Sequence, residues 1–451
     1  MDNESIVSEQ KVKFGLPTAI TMIVGIVIGS GIFFKADSLY SITNGNILLG
    51  CVYWLIGALG IIFGGLTIAE WAKRLDTVGG LISYSEMAFG KIFGFLAGWF
   101  QTIIYLPALC AIIAFVAGVY LCQLFGLSGN AWLWGLTLVA LFGVFTLNVY
   151  ATKLAAIFQT TTVIIKLIPL IIIGFVGVIF GDPSAVMTQG VTMPLLFASS
   201  SGIVAVAFSY DGWLVAPSIC HEIKDAKRNL PLALTFAPIF IMIVYIVYYV
   251  GISAIVGPEF IQTVVAKTNT IPTVYKAAQI LFGSYGAKII LTAVVLSILG
   301  VLNGLILGFT RMPYALALRK EIPGSDKIAV VNKQFDMPLL SCLIALLITL
   351  IWLGIHYLST VMPALSTLDI SSLPIIMTYF FYIVLYVGII KLYLQKEIVS
   401  AVNGLIVPIL AILGALVVIY GGFTMENFQI YLAVSFISVA AGLLIIPKKS
   451  V

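Results

Sequence analysis

Two short stretches place helix-weakening residues in the middle of strongly apolar runs: Gly25-Ile26-Val27-Ile28-Gly29-Ser30-Gly31-Ile32-Phe33 and Val204-Ala205-Val206-Ala207-Phe208-Ser209-Tyr210-Asp211-Gly212-Trp213. Opening a helix turn inside a bilayer frees N–H and C=O groups that lipid cannot satisfy, so such a break is tolerated where it lines a cavity and binds something. A helix restarting after the first break offers the amides of Gly29, Ser30, Gly31 and Ile32, with Ile28 beside them, at the positive end of its dipole. That is a seat for a carboxylate. A half-helix ending near Phe208 offers the carbonyls of Val206, Ala207 and Phe208, with Ser209 beside them, as partners for an ammonium. An α-amino acid carries both groups on one carbon. The plainer reading of either glycine motif alone is close helix packing. Two breaks at matching places in successive groups of five spans point instead to inverted repeats, with a substrate site between them near the bilayer midplane.

Lys166 stands about 13 residues past Lys153, roughly 20 Å along a helix, in a hydrocarbon core about 30 Å thick. A cation at that depth faces the interior, where it holds a partner or serves ion or proton coupling; the plainer alternative is a structural pair or a reach to the interface. The preferred role is a fixed positive charge tying the fifth span to the broken first helix, where a transporter of this kind would otherwise bind Na⁺. Phe208 stands at the second break, where its ring lies over a bound ligand as a gate or simply packs. Asp211 reads first as an N-cap of the restarting half-helix. Glu70, with Lys73 and Arg74, and Glu222, with Lys224 to Pro231, admit two readings: ordinary charged turns or salt-bridged inner gates. His221 and His356 are far apart in the chain, and there is no phosphate loop or nucleotide fingerprint. Neither catalysis, a metal, a cofactor nor an ATP-driven step is expected.

The elements that must hold these residues follow from composition. Of 451 residues, 61% are hydrophobic and 9% charged, with a mean hydropathy of +1.15, far from the roughly 25% charged residues of soluble domains. Apolar runs near 20 residues recur throughout, so the expected fold is an all-α integral membrane protein with about twelve spans. Lys and Arg fall on alternate connections, and the loops around Gly126, Asp182, Thr360 and Gly422 have none. The positive-inside rule then puts both termini in the cytoplasm. The net charge of +5 is spread over those loops, which is a footprint of topology and leaves no nucleic-acid surface. Met1 to Phe14 is polar with mixed charge and lacks the order of a cleaved signal. Cys51, Cys110, Cys122, Cys220 and Cys342 lie in or at the ends of spans and read as small buried hydrophobes. Pro258 to Gly286, mixed in polarity, reads as short helices capping an outer vestibule.

The order of motifs resembles the amino acid-polyamine-organocation superfamily, and within it the L-amino acid transporter group and its bacterial serine/threonine or alanine-serine-cysteine exchangers. The resemblance rests on Gly25-x-x-Ile28-Gly29-Ser30-Gly31-Ile32-Phe33, on Phe208-Ser209-Tyr210-Asp211-Gly212-Trp213, and on Glu222-Ile223-Lys224-Asp225-x-x-Arg228-Asn229-x-Pro231. Gly79-Gly80, Lys166-Leu167-Ile168-Pro169 and Asn303-Gly304 with Arg311 add support. It implies a LeuT-like 5+5 inverted repeat with discontinuous helices 1 and 6 and two extra C-terminal helices. The corresponding boundaries are a tail over 1–15, repeats over 16–181 and 195–390, an outer loop over 258–286, two final spans over 402–447 and a C-terminus over 448–451. It implies alternating-access transport of neutral L-amino acids. Phe208 would be the external gate, Lys166 would occupy the place of a sodium ion, Tyr245 would stand near the substrate and Asn303 would face the pocket. Three departures stand out: no proline precedes Gly79-Gly80, the Lys391 to Val402 connection lacks a basic Phe-x-Val-Pro-type stretch, and no cysteine lies in the short loop after the third span, where animal relatives bridge a heavy chain. No disulfide-linked partner is therefore expected, and a bacterial plasma-membrane location is.

Three functions remain open on the sequence alone. They are sodium-independent exchange of small to medium neutral amino acids, proton-coupled symport on the same fold with Lys166 gaining and losing its proton, and a receptor that binds an amino acid without moving it.

Overall fold

The computed structural model describes residues 15–74, 80–182, 184, 190–214, 223–266, 271–335, 337–362, 369–426 and 428–446. Gly79, Cys220, His221 and Glu222 lie outside these residues, as do both chain ends. The described chain is helical, with one isolated bridge between Asn332 and Met337.

The first apolar run forms α1 (Leu16–Val27) and α2 (Ser30–Ile42), bent by 51° at Ile28 and Gly29. α3 (Ile47–Ala72) starts at Asn46, whose side chain caps the Leu49 amide at 3.0 Å. α4 (Leu81–Phe89) and α5 (Lys91–Phe100) follow, and α5 runs through a π-turn at Gln101–Tyr105 into α6 (Leu106–Phe125). Next come α7 (Asn130–Tyr150), α8 (Thr152–Phe180), the short α9 (Met193–Ala198) and α10 (Gly202–Ser209). α11 (Ala226–Val265) bends at Gly257 and α12 (Thr273–Phe309) at Gly283, both in the left-handed region that glycine alone enters without strain. Both bends fall inside 258–286 or at its edge, so this segment is built of short helical arms. They pack on the far end of α2: Ser41 donates to the Val264 carbonyl at 3.1 Å, and the Thr273 amide donates to Asp37 at 3.2 Å. α13 (Met312–Leu318), α14 (Ser325–Ile328), α15 (Leu339–Val361), α16 (Ser372–Leu394), α17 (Val407–Phe423, entered through a π-turn at Val402–Ile406) and α18 (Phe428–Ile445) complete the chain.

Ten of these helices are long and apolar enough to span a bilayer, and the bent α1–α2 pair makes eleven. The sequence leads one to expect about twelve. The difference is the sixth run, because α10 is only 8 residues long and the chain beyond Leu214 leaves the described residues.

Apolar surface gives little drive for helix association in lipid, so close packing does the work. α8 and α11 meet backbone to backbone, since a Cβ on Gly177 would lie 2.1 Å from the Gly251 carbonyl oxygen. α8 also seats a side chain against α12 at Gly300, where a Cβ would lie 2.4 Å from Thr162 Oγ1. These contacts bring α8, α11 and α12 around the α1–α2 bend.

Candidate functional site

The last regular hydrogen bond of α1 runs from the Ile28 amide to the Val24 carbonyl, at 2.9 Å. Past it, the carbonyls of Gly25, Ile26 and Val27 have lost the amides that a continuing helix would supply. Two are recovered by side chains from other spans. Lys166, 1% exposed on α8, donates to the Gly25 carbonyl. Tyr245 on α11 donates to the Val27 carbonyl at 3.2 Å and shares the same hydroxyl with the Ser209 carbonyl at 3.0 Å. One tyrosine therefore joins the ends of both half-helices. On the other side of the bend, the amides of Gly29, Ser30, Gly31 and Ile32 find no acceptor among the described residues. They open α2 and carry the positive end of its dipole.

The two breaks are in contact. A Cβ on Gly31 would lie 2.8 Å from the Ser209 Cα, so α2 crosses the end of α10 at backbone distance. Gly212, at φ +100°, turns the chain after α10 back onto α1, where a Cβ would lie 2.8 Å from Ile26 Cγ2. Gly29 faces α12, and a Cβ there would lie 2.5 Å from Val301 Cγ2. Three glycines thus set how closely α1, α2, α10 and α12 approach.

The carbonyls at the end of α10 are not equally free. Val206 accepts from the Tyr210 amide at 3.1 Å and Phe208 from the Asp211 amide at 3.2 Å, while Ala207 has no donor outside its own helix among the described residues. A carbonyl has two lone pairs, so all three still accept, with Ala207 the least committed. Phe208 is 8% exposed and meets Phe34 of α2 edge to face at 5.4 Å. Asp211 is held by the Tyr105 hydroxyl from the π-turn before α6. A π-turn inserted in a span is a common mark of a functional position. The helix restart that Asp211 was expected to cap lies outside the described residues.

Asn303 is placed elsewhere. Its amide donates to the Ala155 carbonyl at 3.0 Å and to Gln159 at 3.2 Å, and it accepts from Asn148 at 2.8 Å. It binds α12 to α7 and α8, and these hydrogen bonds do not reach either break. Glu70 is held by its own helix turn: Lys73 lies at 2.5 Å, Arg74 at 3.5 Å, and Asn403 donates from across at 3.4 Å.

Three features of the site are absent from the sequence reading. An aromatic wall of Trp54, Tyr210 and Tyr245 backs the second break, with ring centroids 5.1 to 5.7 Å apart. Tyr105 reaches Asp211 from a span that shows no interruption in sequence. Lys35, a second buried lysine at 4% exposure, lies on α2 above Phe208. Its signal was in plain view, since a lysine one to two turns past the first break stands in a run otherwise without a cation. Among the described residues no cluster of three His, Cys, Asp or Glu is formed, and Cys51, Cys110, Cys122 and Cys342 are free.

The amino acid permease family model matches residues 14–446. The serine/threonine exchanger SteT of Bacillus subtilis is 31% identical over 423 residues, which is 91% of this chain and 90% of that protein. Large neutral amino acids transporter small subunit 2 of Homo sapiens is 27% identical over 351 residues, and the cystine/glutamate transporter of Homo sapiens 23% identical over 341. These cover 75% and 73% of this chain, which in turn spans 64% and 65% of the two human proteins. With the bend between α1 and α2 meeting the end of α10 and a family match over nearly its whole length, the chain belongs to the amino acid permease family of the amino acid-polyamine-organocation superfamily, and is a membrane transporter of amino acids rather than an enzyme.

Proposed function

We propose that the protein exchanges small to medium neutral L-amino acids across a bacterial plasma membrane, by alternating access and without sodium. The observation that carries this reading is the meeting of the two breaks. Unpaired amides from Gly29 to Ile32 and the Ala207 carbonyl flank a contact between Gly31 and Ser209, bridged by the Tyr245 hydroxyl. The amides receive the carboxylate, and the α10 carbonyls receive the ammonium. No Arg or Glu counter-ion is needed for a zwitterion, and the name of the serine/threonine relative agrees with a small neutral side chain. Lys166 supports sodium independence, because its ammonium already supplies a cation to the Gly25 carbonyl. In this reading α10 is the first half of the sixth span, which gives twelve spans in two inverted groups of five plus two, with both termini cytoplasmic. Phe208 closes the site toward the outside. No disulfide-linked heavy chain takes part.

A second reading, proton-coupled symport, draws on Asp211, a carboxylate beside the second break and bonded to Tyr105. Purified protein in proteoliposomes separates the two. Exchange requires that internal serine or threonine accelerate uptake of the labelled amino acid at least about tenfold, with choline replacing sodium at no cost. Uptake into empty vesicles driven by a pH gradient would replace exchange with symport, and binding without flux would remove both.

A further inference from the structure

The outer half of α2 carries an acid that the amino acid site does not use. Asp37 lies about 12 Å along the helix from Gly29, with Phe33 between them. Its Oδ2 accepts from the Thr273 amide at 3.2 Å, at the start of α12, where the helix dipole favours an anion. Its Oδ1 is sealed from solvent and has no hydrogen-bond partner. Three more oxygens share that condition around it: the hydroxyls of Tyr120 on α6, Tyr248 on α11 and Thr273, residues 2%, 0% and 0% exposed. The carboxylate acts electrostatically on both tyrosine hydroxyls, and the two hydroxyls act on one another. Tyr248 is held toward α2 by Phe33, whose ring it meets edge to face at 5.8 Å. Four helices thus bring four buried, unpartnered oxygens together.

No cation of the protein pairs with Asp37 among the described residues. Lys35 is taken: its ammonium donates to Ser371 Oγ at 2.6 Å and pairs with Asp369 Oδ2 at 3.3 Å, beside a cavity of about 270 Å³ that Lys35 and Asp369 help to line. A buried carboxylate without a counter-charge is costly, and proteins answer it by pairing it or by coordinating a metal ion. Ordered water would satisfy the hydroxyls but leave the charge uncompensated. The ligand set then names the class of ion. Oxygen ligands without nitrogen or sulfur suit a hard cation, and each hydroxyl oxygen has lone pairs to offer it. One negative charge balances one positive charge, whereas a divalent ion would leave a net charge in the low-dielectric interior.

We propose that Asp37, Tyr120, Tyr248 and the Thr273 hydroxyl form a site for a monovalent alkali cation, sodium or potassium, which ties the outer half of α2 to α6, α11 and α12. The site is distinct from the Gly25 carbonyl that Lys166 serves, since none of its residues lies on α1 or α8. Its ion is a fixture of the fold and is not carried. Potassium fills the same ligand set, so exchange without a sodium gradient is unaffected.

The test is thermal unfolding of the full-length protein in detergent, with choline chloride replaced by sodium or potassium chloride at a constant ionic strength of about 0.1 M. A ligand that binds only the folded state raises the midpoint, and the rise saturates as the site fills. In the wild type a saturating rise of about 2 °C or more is expected with an alkali salt, and in Asp37→Asn none. A rise in one salt alone identifies the ion. Tyr120→Phe and Tyr248→Phe each remove one ligand, and each is expected to move half-saturation to an alkali concentration about 5-fold higher or more. Where Asp37→Asn does not fold, these two variants decide, and half-saturation equal to the wild type in both would overturn the proposal. The same midpoint in choline and in both alkali salts would also overturn it, leaving the hydroxyls to water. A saturating rise that survives in Asp37→Asn would place the ion elsewhere and do the same.

Discussion

Lys166 and Lys35 are both buried in the helix bundle, at 1% and 4% exposure, yet they are held in opposite ways. Lys166 meets a backbone carbonyl that a broken helix has left without a donor. Lys35 meets a carboxylate and two aromatic faces at the edge of a cavity. If Lys166 lets go, it leaves an isolated cation and an orphaned carbonyl in a low-dielectric interior, and each is costly. If Lys35 lets go, Asp369 is already partly in water and the cavity can hydrate the ammonium. The first lysine is a fixture of the site. The second is an ion pair that water can reach.

The largest effect is expected at Lys166. Lys166→Ala removes the donor to Gly25, leaving a buried carbonyl unsatisfied at about 1–3 kcal/mol and a void beside α1. Exchange in proteoliposomes is expected to fall at least about 30-fold, on both faces alike, while the detergent-solubilised protein still elutes as one species. A side-dependent change would erase the contrast with Lys35, and near-normal exchange would make Lys166 a packing residue.

Next come the glycines at the breaks. Gly29→Val places a branched side chain where even a Cβ would be 2.5 Å from Val301 Cγ2, and it is expected to abolish exchange. Gly29→Ala sharpens the test, because its clash is with one side-chain methyl: adding Val301→Ala should recover a measurable part of the activity. Gly31→Ala meets the Ser209 backbone at 2.8 Å and has no such remedy. Recovery of Gly31→Ala by any trimming of α12 would mean that the two breaks do not meet as described.

Tyr245→Phe is expected to be milder. It removes one hydroxyl shared by two carbonyls, so KM should rise about 5- to 10-fold on both faces with the folded protein intact, in line with roughly 1 kcal/mol for a shared bond. An unaltered KM would show that the bridge between the half-helices contributes nothing to binding.

Much of this arrangement is legible in the sequence because of what a bilayer forbids. Gly29-Ser30-Gly31 and Ser209-Tyr210-Asp211-Gly212 stand out against apolar runs, and Lys166 stands out by charge. What escapes is whatever depends on which face of a helix looks inward. Asn303 is polar and central in its span, yet it faces α7 and α8, a matter of rotation that one sequence does not encode. Tyr105 is brought to Asp211 by a π-turn in Gln101-Thr102-Ile103-Ile104-Tyr105, residues with no helix-breaking type among them. Lys35 lies among residues read as the second half of a broken span, and only its contact with Asp369, 334 positions away, gives it a role.

The smallest expected effect separates the two lysines by solvent alone. Partial withdrawal from water pushes Asp369 up, but the Lys35 charge and the hydroxyls of Ser371 and Ser372 outweigh it and hold the carboxyl down at about 2. A depressed carboxylate keeps its pairing above its unperturbed range and loses it only as pH falls through the lowered value, so the Lys35–Asp369 pair should be indifferent to external pH from about 5 to about 8. Salt should be felt instead, because the Asp369 side chain is 40% exposed and the Debye length shrinks from about 10 Å at 0.1 M to about 3 Å at 1 M. Raising external salt is therefore expected to lower the external KM by less than about 2-fold in the wild type and not at all in Lys35→Met. Lys166, facing a carbonyl away from water, should contribute no salt dependence on either face. A salt effect that persists without Lys35 would place the screened interaction elsewhere and return Phe208 to a gate held by packing alone.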